Sequence, residues 1–221
     1  MTTAIIVAAG KSTRMGTGSD KAFMALAGKP VIAWSLLALE RCKEIDQIVL
    51  VVRKDELVAA QTVSKMFGIS KLGKIVPGGA RRQESVKAGL DACDPETSLV
   101  VIHDGARPLA GSALFSAVVQ EALKGGAVTV GRPVVDTLKQ ADKLEIVKTV
   151  SREKLYQVQT PQAFPMSILR KAYARQSRKE FTDDCMAVEQ LGEKVRIFET
   201  KEPNLKITTV EDLQVAAALL K

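Results

Sequence analysis

The hydrophobic positions of the chain fall into short runs of β-branched residues, and most of these runs are followed by a segment of helical periodicity. Runs and helical segments alternate as Ala4–Ala8 with Val31–Cys42, Gln47–Val52 with Asp55–Phe67, Lys74–Val76 with Arg82–Ala92, and Ser98–Ile102 with Ser112–Leu123, before a further run at Ala127–Gly131. The runs are apolar at nearly every position, which is typical of parallel strands covered on both faces. The pattern predicts a doubly wound α/β fold with a mixed, mostly parallel sheet and with ligands beyond the carboxyl ends of its strands.

The alternation stops in the second half of the chain. Two extended segments, Val134–Lys139 and Glu145–Val150, flank a polar turn at residues 141–143 with no helical segment between them, which predicts a β-hairpin that projects from the sheet. Such a hairpin has little core of its own and needs a surface to lie against. We expect one domain over residues 1–221, with residues 133–152 as an arm within it.

Strands and helices return after the predicted hairpin. They are a strand at Leu155–Gln159, a helix at Met166–Arg178, a helix capped by Thr182, strands at Val195–Glu199 and Leu205–Ile207, and a last helix from Thr209. Asp183 and Asp184 would lie in the first turn of the helix capped by Thr182, where the helix dipole favours negative charge. Thr209 and Asp212 have the spacing of a capping box. This last part of the chain is therefore expected to complete the same domain.

The composition indicates a folded protein without disulfides. Of the 221 residues, 46% are hydrophobic and 26% are charged, close to the globular average. No apolar run approaches the roughly 18 residues that a membrane helix needs, and residues 1–9 lack the features of a signal peptide. Cys42, Cys93 and Cys185 are far apart in the sequence and are expected to be reduced core thiols. We therefore expect a cytoplasmic protein with no membrane partner.

The net charge of +7, from 32 Lys and Arg against 25 Asp and Glu, is expected to attract anions. Aromatic residues make up only 4% of the chain and no run of Lys and Arg is longer than two, which leaves little for base stacking. Small phosphorylated ligands therefore fit better than nucleic acid, and a non-catalytic nucleic-acid module is an alternative from another class. The single histidine, His103, excludes multi-histidine metal sites, so any chemistry must rest on Lys, Arg, Asp and bound ions.

A basic, glycine-containing loop follows the first predicted strand. Residues 10–21 carry Lys11, Arg14 and Lys21 where an α/β fold presents backbone N–H groups to phosphate. The sequence G-K-S at the start of this loop resembles the end of a P-loop, but the first glycine of that motif would fall at Ile5, inside a strand. A P-loop kinase is therefore an alternative that the missing glycine weakens, beside an anion-binding loop and a plain turn with solvated charges.

The turn after the third predicted strand contains Gly78 and Gly79 and leads into a helical segment. Glycines at these positions permit positive φ and a close approach of the backbone to a ligand ring or ribose. The alternative is a plain turn with Arg81 and Arg82 in solvent. The spacing of the residues leaves both interpretations open.

The most apolar predicted strand ends in the sequence H-D-G-A-R-P at residues 103–108. A carboxylate such as Asp104 at this edge suits Mg²⁺, which takes one or two carboxylates together with substrate phosphates. Asp104 could instead cap a helix that begins at Pro108. His103 is expected to be an oriented core or strand-end histidine rather than a catalytic one.

Seven motifs together resemble one enzyme family. They are A-A-G-x-x-x-R-M-G at 8–16 with Lys21, G-G-x-x-R-x-x-S at 78–85, H-D-x-A-R-P at 103–108, D-T-L-K at 136–139, Q-T-P-Q-A-F at 159–164, T-D-D at 182–184 and N-L-K-I-T at 204–208. In this order, from Ala4 to Leu213, they resemble the 2-C-methyl-D-erythritol 4-phosphate cytidylyltransferases. The resemblance implies a Rossmann-like nucleotidyltransferase fold in which the hairpin is a dimerisation arm.

The resemblance also implies an activity and a set of site residues. CTP and 2-C-methyl-D-erythritol 4-phosphate would give a CDP-alcohol and pyrophosphate in the non-mevalonate isoprenoid pathway, with ribitol 5-phosphate as the alternative acceptor within the same fold. Catalytic roles are implied for Lys21, Arg14 and Lys206, and Mg²⁺ binding for Asp104. Nucleotide contacts are implied for Ala8, Ala9, Gly10, Lys11, Gly79 and Ser85. Contacts to the alcohol phosphate are implied for Arg107 and Thr160 and, from the arm of the other subunit of a homodimer, for Thr137 and Arg152.

The sequence departs from the family pattern beside Lys21. Family members usually have Pro immediately before this lysine and Gln after it, whereas Asp20 and Ala22 occupy those places here. A carboxylate next to Lys21 is expected to tether its ammonium group or to weaken its attraction to phosphate.

Overall fold

The computed structural model describes residues 1–10, 21–175 and 180–220. The helices in these ranges are α1 (Val31–Arg41), α2 (Leu57–Met66), α3 (Arg82–Ala92), α4 (Ser112–Gly125), α5 (Met166–Ala174), α6 (Asp184–Glu189) and α7 (Val210–Leu219), with 3₁₀ turns at Lys21–Phe23 and Lys54–Glu56. The strands are β1 (Thr2–Ala8), β2 (Ala25–Leu26), β3 (Lys29–Pro30), β4 (Gln47–Val52), β5 (Leu72–Pro77), β6 (Leu99–Asp104), β7 (Ala127–Pro133), β8 (Leu138–Asp142), β9 (Glu145–Val150), β10 (Tyr156–Pro165) and β11 (Val195–Glu199).

Seven of these strands form one mixed sheet in the order β11-β7-β10-β6-β1-β4-β5. The β1 strand pairs in parallel with β4 and β6, while β4 pairs in parallel with β5 and β7 with β11. The β10 strand runs antiparallel to both of its neighbours, β6 and β7. The chain thus moves outwards from β1 in both directions, which opens a crevice at the carboxyl ends of β1 and β6. The predicted mostly parallel α/β sheet is confirmed.

The two faces of the sheet carry separate hydrophobic cores. In β1, Ile6 points to the face covered by α1, α2 and α4, while Ile5 points to the face covered by α3, α5 and α6. Both isoleucines are fully buried. Because successive side chains of a strand point to opposite faces, burial on both faces favours an apolar residue at every position, as the segment Ala4–Ala8 of β1 has.

The predicted hairpin is confirmed as the antiparallel pair β8–β9, which forms a two-stranded sheet of its own. The turn lies at Lys143 and Leu144, both with positive φ, and not at residues 141–143, because Asp142 still pairs with Glu145. Ile146 and Val147 are 66% and 61% exposed. The arm therefore presents apolar side chains that the rest of its own chain leaves uncovered.

Several predicted boundaries differ from the observed ones. Leu205–Ile207 is not a strand, since Ile207 makes one backbone hydrogen bond to the carbonyl of Ala106 at 2.8 Å without joining a sheet. The α6 helix is capped by Asp183 and not by Thr182, because the Asp183 carboxylate accepts from the backbone N–H of Met186 at 3.0 Å. The bounds of β8, β10 and α5 also differ, at Leu138–Asp142, Tyr156–Pro165 and Met166–Ala174.

Other local predictions hold. The capping box of Thr209 and Asp212 at the start of α7 is confirmed. Cys42, Cys93 and Cys185 are free and buried, as expected of core thiols. Among the described helices, none combines the length and the apolar character that crossing a membrane requires.

Candidate active site

A cleft of about 220 Å³ opens at the carboxyl ends of β1 and β6. Eight of the residues predicted to form the site line this cleft: Ala8, Ala9, Gly10, Lys21, Gly79, Ser85, Asp104 and Lys206. Lys11 and Arg14, which belong to the same prediction, lie outside the described residues. The topology therefore brings residues from both ends of the chain and from two central turns into one cleft.

Gly78 packs directly on the end of β1. A Cβ atom at Gly78 would lie 2.4 Å from Ala9 Cβ and 2.6 Å from Ser85 Oγ, so a side chain has no room. Neither Gly78 nor Gly79 has positive φ, so the turn needs glycine for close packing and not for left-handed backbone. The Gly79 N–H donates to Ser85 Oγ at 3.2 Å, which fixes the turn at the N-terminus of α3. A helix N-terminus at the edge of a cleft favours anions.

Asp104 ends β6 and contacts two cationic side chains. Its carboxylate accepts hydrogen bonds from Lys206 Nζ at 2.6 Å and from Arg82 Nε at 3.2 Å. Burial alone would raise the pKa of Asp104, but Arg82 and Lys206 outweigh burial and hold that pKa well below its usual range. The chain forms no helix at Pro108, so the alternative helix-capping role of Asp104 is wrong. Asp104 is a fixed, ionised carboxylate at the edge of the cleft.

Lys21 begins the 3₁₀ turn Lys21–Phe23 and lines the cleft. The next residue, Ala22, is 3% exposed and packs into the core. Asp20, the other departure from the family pattern, lies outside the described residues. Its expected tether to Lys21 therefore stays a prediction.

A second cleft of about 180 Å³ lies beside the first. The two clefts have three lining side chains in common, Arg82, Asp104 and Lys206, which we call the shared wall. Arg107 and Thr160, predicted for the alcohol phosphate, line the second cleft. Two ligands, one in each cleft, would therefore meet at the shared wall.

Hydrogen bonds tie the second cleft to the shared wall. The register of β10 against β7 shifts around Thr160, as at a bulge, and Thr160 Oγ1 accepts from the backbone N–H of Asp104 at 3.0 Å. Arg107 Nη1 donates to the carbonyl of Asn204 at 2.7 Å. Asn204 Nδ2 in turn donates to the carbonyl of Thr160 at 2.8 Å. These bonds connect β6, β10 and the segment that carries Lys206.

A family model described as 2-C-methyl-D-erythritol 4-phosphate cytidylyltransferase matches residues 2–221 of the chain. The chain belongs to this family. A cytidylyltransferase of that name from Pelotomaculum thermopropionicum is 46% identical over 99% of this chain and 93% of its own length. Another from Dehalococcoides mccartyi is 45% identical over 99% of this chain and 95% of its own length.

Solved structures of cytidylyltransferases match the fold as well. The 4-diphosphocytidyl-2C-methyl-D-erythritol synthase of Anaerococcus prevotii superposes with a TM-score of 0.88 at 33% identity, covering 100% of this chain and 96% of that one. The 2-C-methyl-D-erythritol 4-phosphate cytidylyltransferase of Thermus thermophilus gives 0.82 at 32% identity, covering 98% and 97%. The predicted nucleotidyltransferase fold is confirmed, and this assignment replaces the P-loop kinase alternative.

Two residues predicted for the cytidylyltransferase site do not line either cleft of their own chain. Thr137 and Arg152 are both exposed and stand at the base of the arm, before β8 and after β9. The fold of one chain therefore does not bring them to Arg107 and Thr160. Their contact with a partner's site stays a prediction.

His103 is a core residue, as expected. It is fully buried, and its ring packs edge-on against Phe115 with 4.8 Å between the ring centroids. Burial lowers the pKa of His103 to about 4, so the imidazole is neutral at ordinary pH. Its Nδ1 and Nε2 atoms lie 3.3 Å from Thr160 Oγ1 and 3.2 Å from the carbonyl oxygen of Arg107.

The sequence left open whether Arg82 is solvated, and the structure shows that it is not. Its side chain is 24% exposed and lies 3.2 Å from Asp104 and 2.8 Å from Asp184. Arg81 is the solvated arginine of the turn and pairs with Glu84 at 2.7 Å. The motifs G-G-x-x-R and T-D-D contain Arg82 and Asp184, but nothing in either motif indicates that they meet in the fold.

Proposed function

We propose that the chain transfers the cytidylyl group of CTP to 2-C-methyl-D-erythritol 4-phosphate, with release of pyrophosphate, in the non-mevalonate isoprenoid pathway. The observation that carries the proposal is the pair of adjoining clefts that meet at Arg82, Asp104 and Lys206. One cleft suits the nucleotide and the other suits the acceptor. The family relationship supplies the identity of both substrates.

The reaction needs positive charge more than it needs a base. An oxygen of the acceptor phosphate attacks the α-phosphorus of CTP, and the bond from that phosphorus to the bridging oxygen breaks as pyrophosphate leaves. A phosphate monoester has a second pKa of about 6, so the attacking oxygen is already largely unprotonated near neutral pH. His103 is buried and neutral and is not required as a base. The difficulty is the repulsion between two anions, which fixed cations offset.

The first cleft would hold the nucleotide. The ends of β1 and of the turn before α3 offer small residues and backbone N–H groups, which suit close contact with a cytidine and its phosphates. Lys21 reaches the cleft from the 3₁₀ turn and would stabilise the charge that develops at the α-phosphate. By resemblance, Lys11 and Arg14 would meet the same triphosphate.

The second cleft would hold the acceptor. Arg107 and Thr160 line it, and its volume of about 180 Å³ suits a small polyol phosphate. We extend the proposal to a homodimer in which Thr137 and Arg152 of each arm contact the acceptor bound by the other subunit. The exposed apolar side chains of β9 support this arrangement, because a hairpin with little core of its own needs a surface to pack against.

Mg²⁺ is part of the proposal, with Asp104 as its protein ligand. The described residues contain no group of three or more His, Cys, Asp or Glu that could hold a metal alone. One ionised carboxylate beside a phosphate-binding cleft fits Mg²⁺, which binds one or two carboxylates together with substrate phosphates. When bound, the ion would offset negative charge on the triphosphate.

The cell compartment follows from the same proposal. Three buried free thiols suit a reducing compartment. We therefore propose that the enzyme acts in the cytoplasm.

Pyrophosphate release by the purified chain tests the proposed function. We expect release only when CTP and 2-C-methyl-D-erythritol 4-phosphate are both present. Ribitol 5-phosphate in place of the methylerythritol compound should give a lower kcat/KM. An equal or higher kcat/KM with ribitol 5-phosphate would contradict the proposed acceptor, and release of a nucleoside diphosphate in place of pyrophosphate would contradict the reaction.

A further inference from the structure

The Arg82 guanidinium lies between two carboxylates, that of Asp104 in the shared wall and that of Asp184 in the protein interior. Its Nε donates to Asp104 at 3.2 Å, and its Nη1 lies 2.8 Å from Asp184 Oδ2. The Asp184 side chain is fully buried, whereas that of Arg82 is 24% exposed. The guanidinium is therefore anchored from inside the fold and reaches the two clefts from that anchor.

Asp184 is itself held in place by Tyr173, which lines neither cleft, and by Gln162, which lines the second cleft. The Tyr173 hydroxyl donates to Asp184 Oδ1 at 2.5 Å, and the backbone N–H of Asp184 donates to Gln162 Oε1 at 3.3 Å. Burial and the Asp184 charge both raise the pKa of Tyr173, so its hydroxyl stays protonated and keeps donating. Neither Asp184 nor Tyr173 lines the clefts, and the Asp184 side chain contacts a residue of the shared wall through Arg82.

The anchor decides where the Arg82 charge lies. Arginine has a long side chain with many rotamers, and a carboxylate at each side of the guanidinium restricts it to one orientation. Without the charge of Asp184, the attraction of Asp104 would be the stronger of the two and would draw the guanidinium towards Asp104. Arg82 would then displace the Asp104 carboxylate or cover it.

We propose that Asp184, oriented by Tyr173, is a positioning residue for cytidylyl transfer, because it holds Arg82 where the two clefts meet and thereby fixes the Asp104 carboxylate. This inference rests on the proposed function. In-line displacement depends strongly on position, and a misplacement of about 1 Å can cost roughly 100-fold in rate. Asp184 would then be the residue by which the T-D-D motif at 182–184 contributes to the reaction.

The substitution Asp184→Asn is the main test. Asparagine has nearly the same shape and keeps an oxygen for the Tyr173 hydroxyl, but it lacks the charge that holds Arg82. We expect kcat to fall by about 10- to 100-fold while the KM for CTP changes by less than about threefold. A crystal structure of the variant should show the Arg82 guanidinium displaced towards Asp104.

Asp184→Glu separates a positioning role from a structural one. Glutamate restores the charge but is too long for a fully buried site, so this variant should be the less stable of the two and still the more active. If Asp184 only supported packing, activity would follow melting temperature and the asparagine variant would be the more active. That order of activities would overturn the inference.

Tyr173→Phe keeps the Asp184 charge and removes one hydrogen bond, so kcat should fall by a smaller factor, about two- to fivefold. Tyr156→Phe is the matched control, because the Tyr156 hydroxyl contacts Glu199 at the protein surface and should leave kcat unchanged. If Asp184→Asn does not fold, the Tyr173→Phe variant provides the test. A kcat of Tyr173→Phe equal to that of Tyr156→Phe would then overturn the inference.

The unaltered chain separates this inference from the proposed function. Absence of pyrophosphate release by that chain would overturn the proposed function itself. A fully active unaltered chain together with a folded Asp184→Asn variant of unchanged kcat would overturn only the role of Asp184.

Discussion

Replacement of Lys206 by methionine removes one of the two cations that contact Asp104 among the described residues. Lys206 Nζ lies 2.6 Å from Asp104 Oδ2, and its side chain is 37% exposed. A unit charge about 4 Å from a phosphate charge is worth about 4 kcal/mol at an effective dielectric constant of about 20. Partial solvation and the existing pair with Asp104 offset about 1 kcal/mol of this. About 3 kcal/mol remains for the transition state, which corresponds to a fall in kcat of roughly 150-fold.

The fold should tolerate this change. Methionine matches most of the length of the lysine side chain, and Asp104 keeps its contact with Arg82, so the loss of the partly exposed Lys206 charge should cost about 1 kcal/mol or less in the free energy of unfolding. For a chain of this size the melting temperature should therefore fall by about 4 °C or less. Lys206→Arg keeps the charge and should recover part of the lost activity.

Steady-state pyrophosphate release with both substrates saturating measures kcat. Lys201→Met is the matched control, because Lys201 is exposed, precedes Lys206 by only five residues and lines neither cleft. The control should keep the kcat of the unaltered chain. If folded Lys206→Met stays within about threefold of that kcat, the electrostatic reasoning is refuted, because the loss expected for a catalytic cation is about 100-fold or more.

Three further substitutions test other parts of the site. Lys21→Ala should lower kcat by about 10²- to 10³-fold, as for loss of one preorganised charge, and an unchanged kcat in a pyrophosphate assay would remove Lys21 from the catalytic role. Arg152→Ala should mainly raise the KM for the methylerythritol phosphate, and a selective rise in the KM for CTP would contradict the arm assignment. At an acceptor concentration well below the raised KM, mixing the Lys21 and Arg152 variants should restore some activity in hybrid dimers, and no recovery despite demonstrated subunit exchange would mean that each site uses its own arm. Gly78→Ala should destabilise the fold by about 1–3 kcal/mol in thermal unfolding, because the new Cβ would meet Ala9 Cβ and Ser85 Oγ. A melting temperature equal to that of the unaltered chain would refute the packing argument.

The parallel core of the fold could be predicted because its physical cause is local in sequence. Ile5 and Ile6 are consecutive and both fully buried, each against a different core, so an unbroken apolar run marks a strand covered on both faces. The arm could be placed for the same reason, from extended segments without a helix between them. Its turn was misplaced because Lys143 and Leu144, which carry the positive φ values, are not residues that usually signal such a turn.

The part of the site that escaped prediction depends on contacts between distant segments. The antiparallel direction of β10 brings Thr160 to the backbone of Asp104, and an apolar run does not indicate the direction of its strand. Arg82 and Asp184 are likewise joined only when α3 and α6 pack on the same face. Residue types within a motif indicate possible chemistry, whereas the partners of each side chain are decided by the fold.

Because Arg82, Asp104 and Lys206 border both clefts, the affinities of the two substrates are expected to be thermodynamically linked. A nucleoside triphosphate that attracts Lys206 weakens the contact between Lys206 and Asp104. It thereby alters the electric field that the acceptor encounters. Equilibrium linkage then requires reciprocity, so that any factor by which CTP changes the Kd of the acceptor is the factor by which the acceptor changes the Kd of CTP. An inhibitor directed at one cleft should accordingly be measured both with and without the ligand of the other.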